Sequence, residues 1–251
     1  MGFLERFERQ IRVHAIGEAG QRRLRGSSVL IVGCGALGNN MASLLARAGV
    51  GRIAVCDPDV VELSNLPRQT LFFEDDIGKG KAELTVQRLK RIDADIELLA
   101  YPQRFDASTA ELIARGADVI LDATDNIDAR YAINEFAVER GLPWVFAGVA
   151  ATGGLVMPVV CGGPCFECIY PRSCAPELVL NTSEYGVLNT APAFAATIAS
   201  TIAMKLLLGD EVVPRLISFD VWDQMFESFD VARDANCRVC GGSDDKGNHE
   251  K

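Results

Sequence analysis

The 251 residues include 25 lysines and arginines against 34 aspartates and glutamates, which gives a net charge of −9 and a pI near 4.8. A surface of that sign attracts neither nucleic acid nor an anionic membrane, so both are set aside as partners and only a local basic pocket is left open. The length and a hydrophobic fraction of 49% suit one large α/β domain, or a core with a small appendage, and eight cysteines in a cytoplasmic chain point to metal before disulfides.

From Met1 to Arg9 the chain carries charges where a secretory signal needs an apolar run, so a cytoplasmic location is expected. Met1-Gly2 opens like a myristoylation site, but Arg6 stands where that motif requires serine or threonine. Residues 3–12 are expected to form a short helix, with Arg6, Arg9 and Arg12 as a solvated face.

Residues 28–32 read as a short buried strand running straight into Gly33-Cys34-Gly35-Ala36-Leu37-Gly38, which opens an alanine- and leucine-rich helix to about residue 48. That is a nucleotide-binding turn in its expected context. Gly33 and Gly35 permit the tight turn and bring N–H groups close to phosphate, while Gly38 lets helix and strand pack closely. A second strand at 51–56 ends in Asp57-Pro58-Asp59, which sets Asp57 19 residues beyond Gly38 to accept hydrogen bonds from a ribose hydroxyl. Any dinucleotide enzyme fits to this point. The next stretch, Glu62-Leu63-Ser64-Asn65-Leu66-Pro67-Arg68-Gln69, adds Asn65, Arg68 and Gln69 where an NAD enzyme has no systematic need for cationic phosphate ligands.

Gly80-Lys81 is not a Walker motif, because neither serine nor threonine follows the lysine and no strand with the right glycine spacing precedes it. Lys81 nevertheless opens a helix expected at 81–91, where its ammonium and the helix N-terminus favour the same anion; a solvated helix lysine fits the spacing equally well. Strands expected at 96–101, 118–122 and 143–149 alternate with helices at 108–115 and 127–140, the pattern of a largely parallel sheet whose ligands gather at the carboxyl ends of its strands. Asp125 and Asn126 follow one such end. Asp125 suits magnesium held against nucleotide phosphates, although either residue would also cap the following helix.

Beyond residue 150 the character changes. After a strand at 155–160, Cys165-x-x-Cys168 and Cys237-x-x-Cys240 stand 68 residues apart and supply four thiolates for a closed structural zinc site, ahead of a redox pair or an iron–sulfur cluster. Such a zinc would staple the C-terminal segment to the core, so its loss would cost folding before chemistry. Residues 171–185 read as a mobile loop containing Cys174. Residues 187–208 are long and apolar enough to raise a membrane span, but Asn189, Pro192, Ser200 and Lys205 interrupt them and favour a buried helix from about residue 193, in the core or at a dimer interface. Two antiparallel strands at 215–219 and 224–231 precede the second cysteine pair, and the polar residues from 242 are expected to be disordered. The fold class is α/β, a Rossmann-like nucleotide-binding sheet with a C-terminal antiparallel extension and a structural four-cysteine zinc site.

Arg9-Gln10-Ile11, Gly33-x-Gly35-x-x-Gly38, Asp57-x-Asp59, Leu63-Ser64-Asn65-Leu66-x-Arg68-Gln69, Lys81, Asp122-x-Thr124-Asp125-Asn126 and the two Cys-x-x-Cys pairs, in this order and spacing, resemble the ThiF/MoeB/HesA family, bacterial relatives of ubiquitin-activating enzymes, over roughly residues 3–242. The resemblance implies an ATP-dependent adenylyltransferase that activates the C-terminal Gly-Gly carboxylate of a ubiquitin-like sulfur carrier as an acyl-adenylate. Asp57 would then bind ribose, Asn65, Arg68 and Lys81 would contact phosphates, Asp125 would organise Mg2+, and Asp59, Gln69 and Asn126 would support them. Arg9 would be an arginine finger delivered across a homodimer. It further implies one domain over 1–242, with a nucleotide-binding core at about 27–150, a zinc and carrier-binding part at about 151–242 and a tail at 243–251.

One position departs from the pattern. Some relatives carry a cysteine four residues ahead of a glycine in the loop before the long C-terminal helix; counting back from Gly186, this chain has Thr182, which forms no acyl or persulfide adduct. Adenylation without an obligatory enzyme thioester is therefore expected, with a separate sulfur donor. Cys174 is a bystander thiol unless the loop moves. An NAD-dependent oxidoreductase leaves Asn65, Arg68, Lys81 and the cysteine pairs without a joint purpose, and a non-catalytic module that only binds a ubiquitin-like protein would not need every charged ATP ligand. A peptide or modified nucleoside remains open as substrate of the same chemistry.

Overall fold

The structure is a computed structural model that describes residues 2–174 and 185–242, apart from the side chain of Cys174. Thr182 and the tail at 243–251 lie outside the described residues, as does most of the loop expected to be mobile. Among the described residues, eight strands form one sheet: β1 (Ser28–Val32), β2 (Arg52–Cys56), β3 (Glu97–Tyr101), β4 (Val119–Asp122), β5 (Trp144–Ala150), β6 (Gly153–Val159), β7 (Arg215–Asp220) and β8 (Met225–Asp230). Their order is β3-β2-β1-β4-β5-β6-β7-β8, parallel through the first five positions and antiparallel through the last three. Every residue of β1 is buried, as a central strand covered on both faces requires, which is why it reads as an unbroken apolar run. The chain leaves β1 for β2 on one side and returns to β4 on the other, so a crevice opens beyond the carboxyl ends of β1 and β4.

Helices cover both faces. The larger core cluster packs α4 (Ala36–Ala48), α5 (Lys81–Ile92) and α9 (Thr190–Leu208) on one face through Met41, Leu45, Leu89 and Ala199. The other face carries α6 (Ala110–Ile113), α7 (Ile127–Arg140) and α8 (Phe166–Ile169), with Phe166 stacked on Tyr170 and packed against Trp144 and Phe146. Helix α9 begins three residues earlier than expected. Pro192 sits in its first turn, where a missing N–H costs nothing because no carbonyl of the helix needs it. Among the described residues α9 is the one helix long and apolar enough to cross a membrane, and half of its apolar window is buried in the fold, where a stripe of alanines at 191, 195, 199 and 203 faces the core.

Two helical expectations need correction. Residues 3–12 form not one helix but two single turns, α1 (Phe3–Arg6) and α2 (Glu8–Ile11), broken at Phe7, which leaves helical geometry to bury its ring. The helix expected at 108–115 shrinks to α6, because Asp106 gathers the amides of Ser108 and Thr109 into a tight turn before it and Gly116, at φ +71, follows it. A further helix, α3 (Gly17–Arg25), leads into β1.

Candidate active site

A cavity of about 1290 Å³ occupies the crevice at the carboxyl ends of the parallel strands. It is lined by Gly33, Gly35, Asp57, Asp59, Asn65, Arg68, Gln69, Lys81, Asp125 and Asn126, so the fold brings together the cavity-side residues expected from sequence. Gly38 and Arg9 are not among its walls.

The glycines of the turn have different physical reasons. Gly33 stands at φ +101, and a Cβ there would lie 2.5 Å from the Ala123 carbonyl oxygen; at Gly38 it would lie 1.9 Å from that of Gly33. Both are demanded by the packing of the protein itself. Gly35 has an ordinary φ of −75, and the nearest atom to a Cβ would be Gln69 Nε2 at 3.9 Å. What Gly35 preserves is empty space at the N-terminus of α4, the room a phosphate needs to meet backbone N–H groups. Asn39, wholly buried on α4, donates to the Cys34 carbonyl at 2.7 Å and accepts from the Leu71 amide at 2.9 Å, tying the turn to the segment that follows Gln69. Its only trace in the sequence is a polar residue on an otherwise apolar helix face.

Asp57 closes β2 and accepts the amides of Cys34 at 2.6 Å and Asp59 at 2.8 Å, one on each carboxylate oxygen. Burial pushes its pKa above the ordinary carboxylate range, opposed by those hydrogen bonds and by the charge of Lys81. The segment after it makes a short 3-10 turn, Leu63–Asn65, in which Asn65 Oδ1 accepts the Glu62 amide at 3.2 Å. Arg68 donates to the Ser64 carbonyl at 2.8 Å and is exposed to the cavity. Gln69 is 3% exposed, and its Oε1 has no hydrogen-bond partner among the described residues.

Lys81 is 8% exposed; its Nζ stands 3.4 Å from Asp59 Oδ2, and its amide donates to the Asp59 carbonyl at 2.9 Å. The intervening loop is clamped to α5 by buried Asp76, which pairs with Arg88 at 2.5 Å and Lys79 at 3.3 Å. At the end of β4, Asp122 is wholly buried and accepts from Arg130 Nε at 3.2 Å and from the Thr124 amide and hydroxyl at 2.9 and 2.6 Å. Burial raises the Asp122 pKa, with Arg130 and Thr124 opposing. Asn126 caps α7 by accepting the Ala129 amide at 2.8 Å, which releases Asp125 from that duty. The Asp125 carboxylate is exposed to the cavity with no side-chain hydrogen bond or ion pair among the described residues. Arg130, lying over the Phe146 ring and also lining the cavity, was not singled out by sequence reasoning; it is identified only once β4 and α7 are laid side by side.

Away from the cavity, the sulfurs of Cys165, Cys168, Cys237 and Cys240 lie within 4.8 Å of one another. Cys165 and Cys237 are 3.5 Å apart, Cys168 and Cys240 3.4 Å, and Cys165 and Cys168 4.0 Å. Four thiolates at about 2.3 Å from a tetrahedral zinc stand about 3.8 Å from one another, so the donor set fits that ion. Asn134 on α7 donates to Cys165 Sγ at 3.5 Å and accepts the Phe166 amide at 3.0 Å, orienting one ligand from outside the set. Arg238, beside the last pair, bonds Glu167 at 2.9 Å and Glu135 of α7, and Arg172 joins the same two carboxylates.

The chain matches the ThiF family over residues 7–239. It is 37% identical over 241 residues to the sulfur carrier protein ThiS adenylyltransferase of Escherichia coli, covering 95% of each chain. It is 36% identical over 240 residues to the SAMP-activating enzyme E1 of Haloferax volcanii, covering 95% of this chain and 89% of that one. Among solved structures, E. coli MccB with AMPCPP and MccA superposes with a TM-score of 0.81 at 25% identity, over 94% of this chain and 74% of that one. With its glycine turn, a cavity that gathers Arg68 and Lys81, and this likeness along nearly the whole length, the chain belongs to the ThiF family and, within it, to the adenylyltransferases.

Proposed function

We propose that the protein activates the C-terminal Gly-Gly carboxylate of a ubiquitin-like sulfur carrier with ATP, releasing pyrophosphate and leaving an acyl-adenylate. The observation that carries the reading is the convergence on one cavity of open space at Gly35, two cations at Arg68 and Lys81, and a carboxylate at Asp125 that is unengaged among the described residues. The likeness to the two named relatives along nearly their whole length supports the choice of substrate class.

The carrier carboxylate is ionised at neutral pH and is itself the nucleophile, so the step calls for no general base. It calls for neutralised charge and in-line placement. One carboxylate oxygen forms a bond to the α-phosphorus while the bond from that phosphorus to the bridging oxygen breaks, and the electron pair leaves with pyrophosphate. Asp57 accepts from ribose, Gly35 and Gln69 give the phosphates room and N–H donors, and Asn65, Arg68 and Lys81 meet the phosphate oxygens. Asp59 holds Lys81 in place. Asp125 would hold Mg2+, which when bound neutralises phosphate charge. Arg9, exposed and outside its own chain's cavity, acts in the cavity of a second copy in a homodimer. The four cysteines hold zinc structurally, in thiolate form suited to a reducing cytoplasm. With Thr182 in place of a loop cysteine, the acyl-adenylate passes to a separate sulfur donor.

ATP–pyrophosphate exchange with zinc-loaded protein, with and without carriers ending in Gly-Gly, tests this. Exchange that requires a carrier, disappears in Arg68→Ala and survives in Thr182→Ala is the expected result. Exchange supported by a free peptide but by no carrier would overturn the substrate class while leaving the chemistry standing.

A further inference from the structure

The N-terminal segment is anchored at two residues that flank Arg9. The Ala48 carbonyl, at the C-terminal end of α4 where no helical N–H remains to meet it, accepts two side-chain amides: Gln10 Nε2 at 2.8 Å and Gln21 Nε2 at 2.9 Å. Gln10 Nε2 also donates to Gln21 Oε1 at 2.6 Å. The joint fits tightly around Gly49, whose φ is +89; a Cβ there would lie 2.5 Å from Gln21 Nε2 and 2.7 Å from the buried Phe7 ring.

The arginines of this segment differ in their engagement. Arg6 donates to the Ile92 carbonyl and Arg12 pairs with Glu8. Arg9 is exposed and makes no side-chain hydrogen bond or ion pair among the described residues. Among the described residues it is an unpaired cation on a fastened base.

We propose that Gln10 is a positioning residue for Arg9: its bonds to Gln21 and to the Ala48 carbonyl fix the α2 turn so that the guanidinium is presented at a set place to the cavity of a second copy. The proposal rests on the reading of Arg9 as acting across the dimer. Without the joint the turn frays, and ordering a loose arginine at each turnover costs rate, because catalytic groups displaced by an ångström lose much of their effect.

The test uses paired subunits carrying two different affinity tags, isolated as mixed dimers. A subunit with Arg9→Ala paired with one carrying Arg68→Ala holds one complete site, the cavity of the first served by Arg9 of the second. Gln10→Ala placed on the Arg68→Ala subunit, which contributes only Arg9, is expected to lower kcat for ATP–pyrophosphate exchange by about tenfold or more with little change in KM for ATP. On the Arg9→Ala subunit, which supplies the cavity, the same substitution is expected to cost less than about twofold. Gln10→Glu, similar in size but unable to donate to the Ala48 carbonyl, should follow the same dependence on placement. A folding defect would strike both placements alike, so equal losses overturn the proposal and leave Gln10 as a cap of α4. If the parental pair regains no activity, the Arg9 reading itself fails before Gln10 is introduced, and the proposal falls with it.

Discussion

Lys81 and Asp59 hold each other twice, side chain to side chain at 3.4 Å and Lys81 amide to Asp59 carbonyl at 2.9 Å. Lys81→Ala should therefore reduce kcat/KM for ATP–pyrophosphate exchange by about 10²- to 10³-fold, as expected for a lost charge on the reacting phosphates. Asp59→Ala should cost roughly tenfold, and nothing further once Lys81 is already gone, because the two act as one unit. Steady-state exchange on the two single variants and the double variant measures this. Additive losses would mean that Asp59 acts on something other than Lys81.

Gly35 and Gly38 make a matched pair for a second experiment. Gly38→Ala forces a Cβ to 1.9 Å from a carbonyl oxygen and should lower the melting temperature sharply. Gly35→Ala meets no atom of the described residues closer than 3.9 Å, so it should melt within a few degrees of the parent yet bind ATP weakly, since on the proposed reading the methyl group fills the phosphate's space. Calorimetry with and without ATP separates the two. Normal ATP affinity in Gly35→Ala would remove the phosphates from this turn.

The cysteine cluster predicts about one zinc per chain by elemental analysis. Cys237→Ser should bring that close to zero and lower thermal stability, because structural zinc binding is coupled to folding. Cys161→Ser, at an exposed thiol outside the set, should keep the metal. Retention of full zinc by Cys237→Ser would show that the ion lies elsewhere.

The dependence of ATP binding on pH follows from Asp57. Burial raises its pKa, so as pH falls it loses its charge sooner than an ordinary aspartate, and ATP affinity should weaken on that acid limb. The effect on folding has the opposite sign. A carboxyl whose pKa is higher in the folded than in the unfolded state makes ionisation costly to the fold above that value, and the cost disappears as pH falls through it. Acid should thus weaken binding without unfolding the protein through this group. Isothermal titration across the acid range checks it, with Asp57→Asn expected to bind weakly at every pH and to lack the limb.

Strands and knuckles were readable because their signals are local. The unbroken apolar run of β1, the glycines at 33, 35 and 38, and the paired cysteines each carry their signal within a few residues, and the fold brings Gly33 and Gly35 to the cavity wall, Gly38 against the turn, and the four sulfurs within 4.8 Å of one another. The unread parts are contacts between distant elements. Arg130 becomes a partner of Asp122 only when α7 lies against β4, and Asn39 and Gln21 are buried polar residues whose partners come from other segments. In the N-terminal segment, arginines at 6, 9 and 12 suggested an unbroken helix, but the burial of Phe7 outweighed the hydrogen bonds that continuity would have added. Asp125 and Asn126 could not be told apart by type alone, since both cap well; geometry assigned the cap to Asn126.

Cys165 and Cys237, whose sulfurs meet at 3.5 Å, are 72 residues apart in sequence. Everything between them, including α9 and the β7–β8 hairpin, has to leave the ribosome and find its place before the fourth ligand arrives. A nascent or clipped chain ending before Cys237 has only half a ligand set and no means of holding the ion tightly. On the proposed zinc reading, tight metal capture therefore waits until Cys237 and Cys240 have been made and brought against Cys165 and Cys168, so that the ion reports the closure of the C-terminal segment onto the core.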